Sequence, residues 1–234
     1  MKGTVYGVSL GPGDPELVTL KALHVLQQVD VVFCPGTKLP SGEVKSRSGD
    51  ILRALPVDGG KVRVFAVPMS KDRTLALGAY EALCREVEAL VAGGKSVAIT
   101  AEGDACFYSS ANYLYGLLRE AGCRVEMVAG VPAFIAAASS VGLHLVKQRE
   151  RLLVIPGDVV VEELLESVVS KRVLVIMKVP LGEGILRPFL ARHTELHYHY
   201  FEQVGTPDEF YTSDLQEILA RDFTYFSILV ISAH

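Results

Sequence analysis

Two short loops carry the residues best suited to chemistry. The first, Gly11-Pro12-Gly13-Asp14-Pro15, follows a β-branched run at Thr4–Leu10 and opens a helical pattern. Glycine in such a place lets the backbone approach a ligand closely. In open α/β sheets, ligands sit at the carboxyl ends of the strands. The loop lacks the GxGxxG order, and no Lys-Ser/Thr pair follows it, so neither a dinucleotide fingerprint nor a phosphate-binding P-loop is supported. The same residues also read as a tight turn, with Asp14 capping a helix and Pro15 at its first position. The second loop, Glu102-Gly103-Asp104, follows the apolar run Ser96–Ala101 and precedes a helical stretch at Phe107–Glu120. Its two acids in an apolar neighbourhood can hold a cationic group; the plainer alternative is that Asp104 caps the helix. His197 and His199 alternate on a predicted strand and so share a face. No third ligand lies nearby, and no metal site is assigned. The four cysteines (Cys34, Cys84, Cys106 and Cys123) have no CxxC spacing and read as buried or half-buried free thiols.

The elements that must position these loops alternate between short strands and longer amphipathic helices. Strands are predicted at Thr4–Leu10, Val29–Cys34, Lys61–Val67, Ser96–Ala101, Arg124–Val128, Leu152–Ile155, Arg172–Lys178, Glu195–Gln203 and Tyr225–Ile231. Between them lie helices from Asp14 to about Gln28, Asp50–Leu55, Leu75–Ala92, Phe107–Glu120, Phe134–Val141, Glu162–Ser170, Ile185–Arg192 and Asp214–Ala220. In the first helix Leu17, Leu20, Leu23 and either Val25 or Leu26 are placed near one face. This alternation implies an α/β protein. The early strands suit a mostly parallel sheet, and the alternating later strands suit a more antiparallel, half-exposed one. We divide the chain into an N-terminal domain, 1–118, and a C-terminal domain, 119–234.

Composition excludes several classes. The chain has 234 residues, half of them hydrophobic and 21% charged, which fits a folded protein and not a disordered one. A formal net charge of -4 leaves no basic footprint for broad nucleic-acid binding. Mean hydropathy is positive, +0.31, yet no apolar run reaches the roughly 18 residues that span a bilayer. The N-terminus lacks the apolar core and cleavage site of a signal peptide, so a cytoplasmic protein is expected.

Taken in order, the loops resemble the signatures of the tetrapyrrole methylases. Gly11–Pro15 followed by Glu16–Ala22 (ELVTLKA) resembles their opening signature, and Glu102–Ser110 (EGDACFYSS) their second. Ala129-Gly130-Val131-Pro132-Ala133-Phe134 before an Ala-rich helix resembles the third. Two departures stand out: Ala105 and Ala129 occupy places where the family usually has proline, and each gives up a fixed φ that would stiffen its loop. Val67-Pro68-Met69, Glu102 with Phe107-Tyr108, and Ile176–Val179 are most similar to the branch that methylates C20 of precorrin-2 or cobalt-factor II.

The resemblance implies two α/β domains with the active site in the cleft between them, and a homodimer. It implies S-adenosylmethionine (SAM) as methyl donor and S-adenosylhomocysteine as product. Carried over residue by residue, it implies SAM contacts at Pro12, Glu102, Gly103, Asp104, Tyr108, Ser109, Ser110, Phe134, Met177, Gly205 and Thr206. Met177 also reads as core packing, and Gly205-Thr206-Pro207 as an ordinary turn. The methyl of a sulfonium is already electrophilic and a reduced tetrapyrrole offers an electron-rich carbon. The protein's task is then alignment, which lowers a barrier by roughly 7–11 kcal/mol at best. Glu102, Asp104 and Lys178 are the candidates for a catalytic proton acceptor or electrostatic role, with Glu102 and Asp104 expected to act through loop order and charge. Lys38, Lys45, Arg47, Lys71, Arg73, Lys147, Arg149 and Arg151 are candidate partners for substrate carboxylates. Alternatives within the family are a methylase of another ring position, such as uroporphyrinogen III methyltransferase, or a relative acting on rRNA or diphthamide. A non-catalytic SAM-binding protein and an unrelated nucleotide-binding protein stand outside it.

Overall fold

The computed structural model describes residues 3–39, 41–67 and 73–233, without the side chains of 73–76. Pro68, Met69 and Lys71 lie outside the described residues, as does the side chain of Arg73. The chain forms two compact units, Met1–Pro132 and Ala133–His234.

In the first unit the order is β1 (Val5–Ser9), α1 (Leu20–Gln28), β2 (Val31–Lys38), β3 (Val44–Lys45) and α2 (Arg47–Ala54). It continues with β4 (Val62–Val67), α3 (Arg73–Ala92), β5 (Val97–Ala101), α4 (Asn112–Glu120) and β6 (Val125–Val128). The strands form one sheet in the order β3-β2-β5-β1-β6, with β4 also paired to β2. Every pairing is parallel except β2 with β3. Side chains alternate between the two faces with the strand period. Val31, Phe33, Val97 and Ile99 pack with residues of α3 and α4. Val32, Cys34 and Ala98 pack on the other face with Ala22 and Leu26 of α1 and Ile51 and Leu52 of α2. A parallel sheet covered on both faces explains why these strands read as nearly continuous apolar runs.

The second unit contains α5 (Ala133–Ser140), β7 (Leu152–Ile155), α6 (Val161–Val169), β8 (Val173–Met177) and α7 (Glu183–Arg192). It ends with β9 (His197–Glu202), β10 (Phe210–Thr212), α8 (Leu215–Ala220) and β11 (Ser227–Ser232). Sheet order is β10-β9-β11-β8-β7. Only β7 with β8 is parallel. Tyr198, Tyr200, Leu174, Ile176 and Leu229 pack with Leu164 of α6, Leu186 of α7 and Ile218 of α8. The strands are more buried than the expected half-exposed sheet: β11 is buried at five of six positions.

Several expectations are corrected. The domain boundary at 118/119 falls too early, because β6 comes after it and pairs with β1 along Val5–Val8. The first helix is interrupted. Asp14 caps a short 3-10 turn at Pro15–Leu17 through Glu16 N–H, and Thr19 then caps α1 through Ala22 N–H. The restart turns Leu20 outward to 73% exposure, while Leu26, one of the two expected alternatives, faces the core together with Ala22. Strands β3 and β10 are too short to carry a sequence pattern. Cys106 is exposed, whereas Cys34 and Cys84 are buried and Cys123 is half-buried. Burial, with Glu88 bonded beside it, pushes the Cys84 thiol up to about 12.

Thr19 ties α1 to the end of β6 as well, since its hydroxyl donates to the Ala129 carbonyl at 3.3 Å. Thr19→Ala is therefore expected to cost about 1 kcal/mol, the usual value of a lost N-cap. The drop in the urea unfolding midpoint measures it.

Candidate functional site

The three motif loops follow β5, β1 and β6, which are adjacent parallel strands. Parallel neighbours deliver their carboxyl ends side by side, so loops far apart in sequence meet there. Gly11 and Gly103 form an isolated antiparallel bridge: Gly11 N–H donates to Gly103 O at 3.1 Å, and Gly103 N–H to Gly11 O at 2.7 Å. Both glycines have positive φ, +73° and +65°, a region that disfavours any side chain. The first loop and the second are thus joined by backbone alone.

Asp104 joins the second loop to the third. Its Oδ1 accepts from Cys106 N–H at 2.8 Å, and its Oδ2 accepts from Gly130 N–H at 2.7 Å. The helix cap considered for Asp104 is not formed; α4 begins only at Asn112, after a run of turns. Ser9, fully buried at the end of β1, completes the lock. Its hydroxyl donates to Val128 O at 2.7 Å and accepts from Ala105 N–H at 2.8 Å. That second bond requires a residue other than proline at 105, because proline has no N–H. The alanine that gives up a fixed φ gains a tether. Gly130 sits so close that an added Cβ would lie 2.4 Å from Ser9 Cβ and 2.7 Å from Gly103 O. Gly130→Ala is expected to destabilise the first unit by about 1–3 kcal/mol through overpacking. Differential scanning fluorimetry and urea titration read that loss.

Glu102 is half-buried, with its side chain 30% exposed. Its Oε2 lies 3.4 Å from Arg47 Nε at the start of α2, and Ser48 N–H bonds to the carboxylate. Burial pushes the Glu102 carboxyl above the usual glutamate value. Arg47 and the Ser48 bond oppose that shift, and Asp50 adds to it. Pro12 presents its carbonyl to Arg47 Nη2 at 3.3 Å. Pro12, Glu102, Gly103 and Asp104 are therefore brought together. Tyr108, Ser109 and Ser110 follow on the same loop, with Tyr108 49% exposed at φ +48°.

In the second unit, Met177 closes β8 and Lys178 follows in left-handed backbone at φ +55°. Gln203, just past β9, is left-handed too at φ +51°. Lys178 N–H donates to Ser227 O and Gln203 N–H to Phe226 O, so both strand ends are tied to the start of β11. Lys178 Nζ stands 5.6 Å from the centre of the Tyr225 ring. Gly205 and Thr206 form the turn between β9 and β10, with Gly205 N–H on Glu209 and Thr206 Oγ1 donating to Gln203 O. Phe134 is buried on α5. Non-glycine residues in left-handed backbone each cost about 1–3 kcal/mol and concentrate at functional sites. Lys178 and Gln203 directly follow β8 and β9 and Tyr108 lies on the loop after β5, whereas Gln148 and Lys171, also left-handed, precede β7 and β8.

Among the described residues, the candidate cations do not all gather at these ends. Lys147, Arg149 and Arg151 precede β7, at the end of the second sheet opposite Met177. There Lys147, His144, Val173 and Ser232 help line a hollow of about 250 Å³. Lys38 and Lys45 are exposed on the β2–β3 pair, and Arg47 is engaged by Pro12 and Glu102. Sequence reasoning missed Ser9 and Thr19 as loop ties. Ser9 is a lone hydroxyl at the end of an apolar strand, and that was the signal available. His197 and His199 do share a face of β9, and His199 is bonded to Tyr211.

Interlocked loops at the ends of three adjacent parallel strands each carry one of the signatures read in the sequence. The chain belongs to the family of Tetrapyrrole (Corrin/Porphyrin) Methylases, whose description it matches over residues 4–219. It is 30% identical to the precorrin-2 C(20)-methyltransferase of Sinorhizobium sp over 98% of this chain and 95% of that protein. It is 37% identical to the probable cobalt-precorrin-2 C(20)-methyltransferase of Methanocaldococcus jannaschii over 65% of this chain and 63% of that relative's length. Among solved structures, the cobalt precorrin-4 methyltransferase CbiF superposes with a TM-score of 0.73 at 19% identity, covering 98% of this chain and 94% of that one. At that identity the likeness concerns the fold.

Proposed function

We propose that this chain transfers a methyl group from SAM to a ring carbon of a tetrapyrrole in cobalamin biosynthesis, at C20 of precorrin-2 or cobalt-factor II. The observation that carries this reading is the three-loop lock built from Gly11, Gly103, Asp104 and Gly130. The names of the two curated relatives support the substrate and the ring position.

The donor set fits SAM. The second loop carries one half-buried carboxylate, Glu102, which suits a ligand carrying positive charge on its sulfonium and ammonium groups. In this reading the SAM contacts are Pro12, Glu102, Gly103, Asp104, Tyr108, Ser109, Ser110, Phe134, Met177, Gly205 and Thr206. SAM supplies the electrophilic methyl. The protein's own work is to fix the loops that orient it. Asp104 spends both oxygens on backbone N–H groups. We therefore assign it to loop order and not to proton transfer. Glu102 supplies charge, and Lys178 is the group left to sit beside the reacting ring. The working form in this reading is a cytoplasmic homodimer.

A mass-resolved methylation assay tests the proposal. Purified protein and SAM are mixed with precorrin-2 in one tube and cobalt-factor II in another. One singly methylated product, with the position read by NMR as C20, is the expected result. SAM binding with no product from either substrate overturns the C20 assignment and moves the activity to another ring intermediate.

A further inference from the structure

Arg47 opens α2, whose N-cap is Ser46. Sequence reasoning placed this arginine among the candidate partners of substrate carboxylates, but its surroundings are internal. Nη2 donates to the Pro12 carbonyl at 3.3 Å, and Nε lies 3.4 Å from Glu102 Oε2. The next residue, Ser48, is fully buried and turns its N–H to the same carboxylate. The Ser48 hydroxyl has no hydrogen-bond partner among the described residues. A buried hydroxyl left in that state is a cost, accepted where the backbone of α2 is pressed against Glu102. One end of α2 is thus stapled to the loop after β1 and the loop after β5.

We propose that Arg47 is a positioning residue of the SAM site: its forked guanidinium holds the Pro12 carbonyl and the Glu102 carboxylate in a single arrangement. The inference rests on the functional reading above. It makes the Gly11–Gly103 bridge and the Arg47 fork two separate ties between the same loops. A planar fork reaches two acceptors at once, which a lysine ammonium on a flexible stem does not match.

The test compares R47M and R47K with the wild type by calorimetric titration of SAM, by the KM for precorrin-2, and by hydrogen exchange at the Gly11 and Gly103 amides. R47M is expected to raise the Kd for SAM about tenfold, with less than a twofold change in the KM for precorrin-2. Exchange at Gly103 should quicken by a similar factor. Without the guanidinium, Glu102 faces only Asp50 as a charged neighbour on α2. The pH at which SAM affinity falls should then rise. R47K should be intermediate in Kd. If R47M fails to fold, R47K carries the test alone. A KM for precorrin-2 that rises as much as or more than the SAM Kd makes Arg47 a substrate contact and overturns the proposal. So does a SAM Kd unchanged in R47M, or an R47K indistinguishable from wild type. Wild-type protein that binds no SAM sinks the functional reading itself, whereas wild-type binding with an inert Arg47 sinks only this inference.

Discussion

Asp104→Asn should raise the Kd for SAM at least tenfold and release the Gly130 amide to exchange roughly 10–100 times faster. Both carboxylate oxygens accept a backbone N–H, one from Cys106 and one from Gly130. Asparagine keeps one acceptor oxygen and replaces the other with a donor NH₂. One of the two N–H groups then meets another donor. A hydrogen bond to a charged group contributes about 1.5–3 kcal/mol, and the half-buried position of Asp104 leaves most of that value in place. We expect about 2 kcal/mol lost from the loop arrangement, which is the origin of the exchange factor. Because Gly130 N–H is the bond between the second and third loops, SAM affinity should fall with it. Turnover abolished while SAM affinity and Gly130 exchange stay at wild-type values would instead make Asp104 a participant in the reaction.

The second large effect lies in the other unit. Glu202, the last residue of β9, is 5% exposed and is held on three sides. Arg221 grips it with two parallel bonds of 2.9 Å, and Tyr200 donates to it at 2.7 Å. Arg221 also lies 3.5 Å over the Phe210 ring. Burial alone would raise the Glu202 carboxyl, but the bonds from Arg221 and Tyr200 and the Arg221 charge outweigh it and hold it below the ordinary value of 4.5. Arg221→Met leaves that carboxylate buried without its cation. Breaking a buried pair costs about 3–5 kcal/mol. The Arg221 side chain is 32% exposed, so we expect the lower end, about 3 kcal/mol.

The pH dependence fixes the sign. In the wild type the folded-state value of Glu202 is depressed. Its stabilisation is therefore present above the unfolded carboxylate value and is lost as pH falls through the folded one. In the variant, desolvation raises the folded-state value, so the variant loses stability as pH climbs above the unfolded value. The gap between the two proteins should widen from about pH 4 to pH 7 and close in acid. Urea unfolding at a series of pH values measures it, and a gap independent of pH would mean that Glu202 is not the group affected. Glu202 immediately precedes Gln203, Gly205 and Thr206, so the same variant should loosen the turn that carries two of the proposed SAM contacts.

Some of this was legible without coordinates. Short β-branched apolar runs separated by longer amphipathic stretches specify alternating strands and helices, because burial on a sheet face or a helix stripe is a local property of residue type and spacing. Thus Leu152–Ile155 reads as a strand and forms one. Asp14 before Pro15 reads as a cap and acts as one, since that bond spans only two residues. The order of Gly-rich and acidic loops also pointed to the family.

What only the tertiary structure decided depends on which strands lie side by side. Asp104 bonds Gly130, 26 residues away, and Ser9 bonds Val128, 119 residues away, because β5, β1 and β6 are neighbours. Arg47 finds Pro12 across 35 residues. The strand order also carries β6 into the first unit and moves the boundary to Pro132. The late start of α4 has the same origin, because Asp104 is occupied by the third loop and does not cap a helix at Phe107. Residue spacing along a chain reports which face a side chain presents; the partner it meets there is set by the order in which the strands assemble.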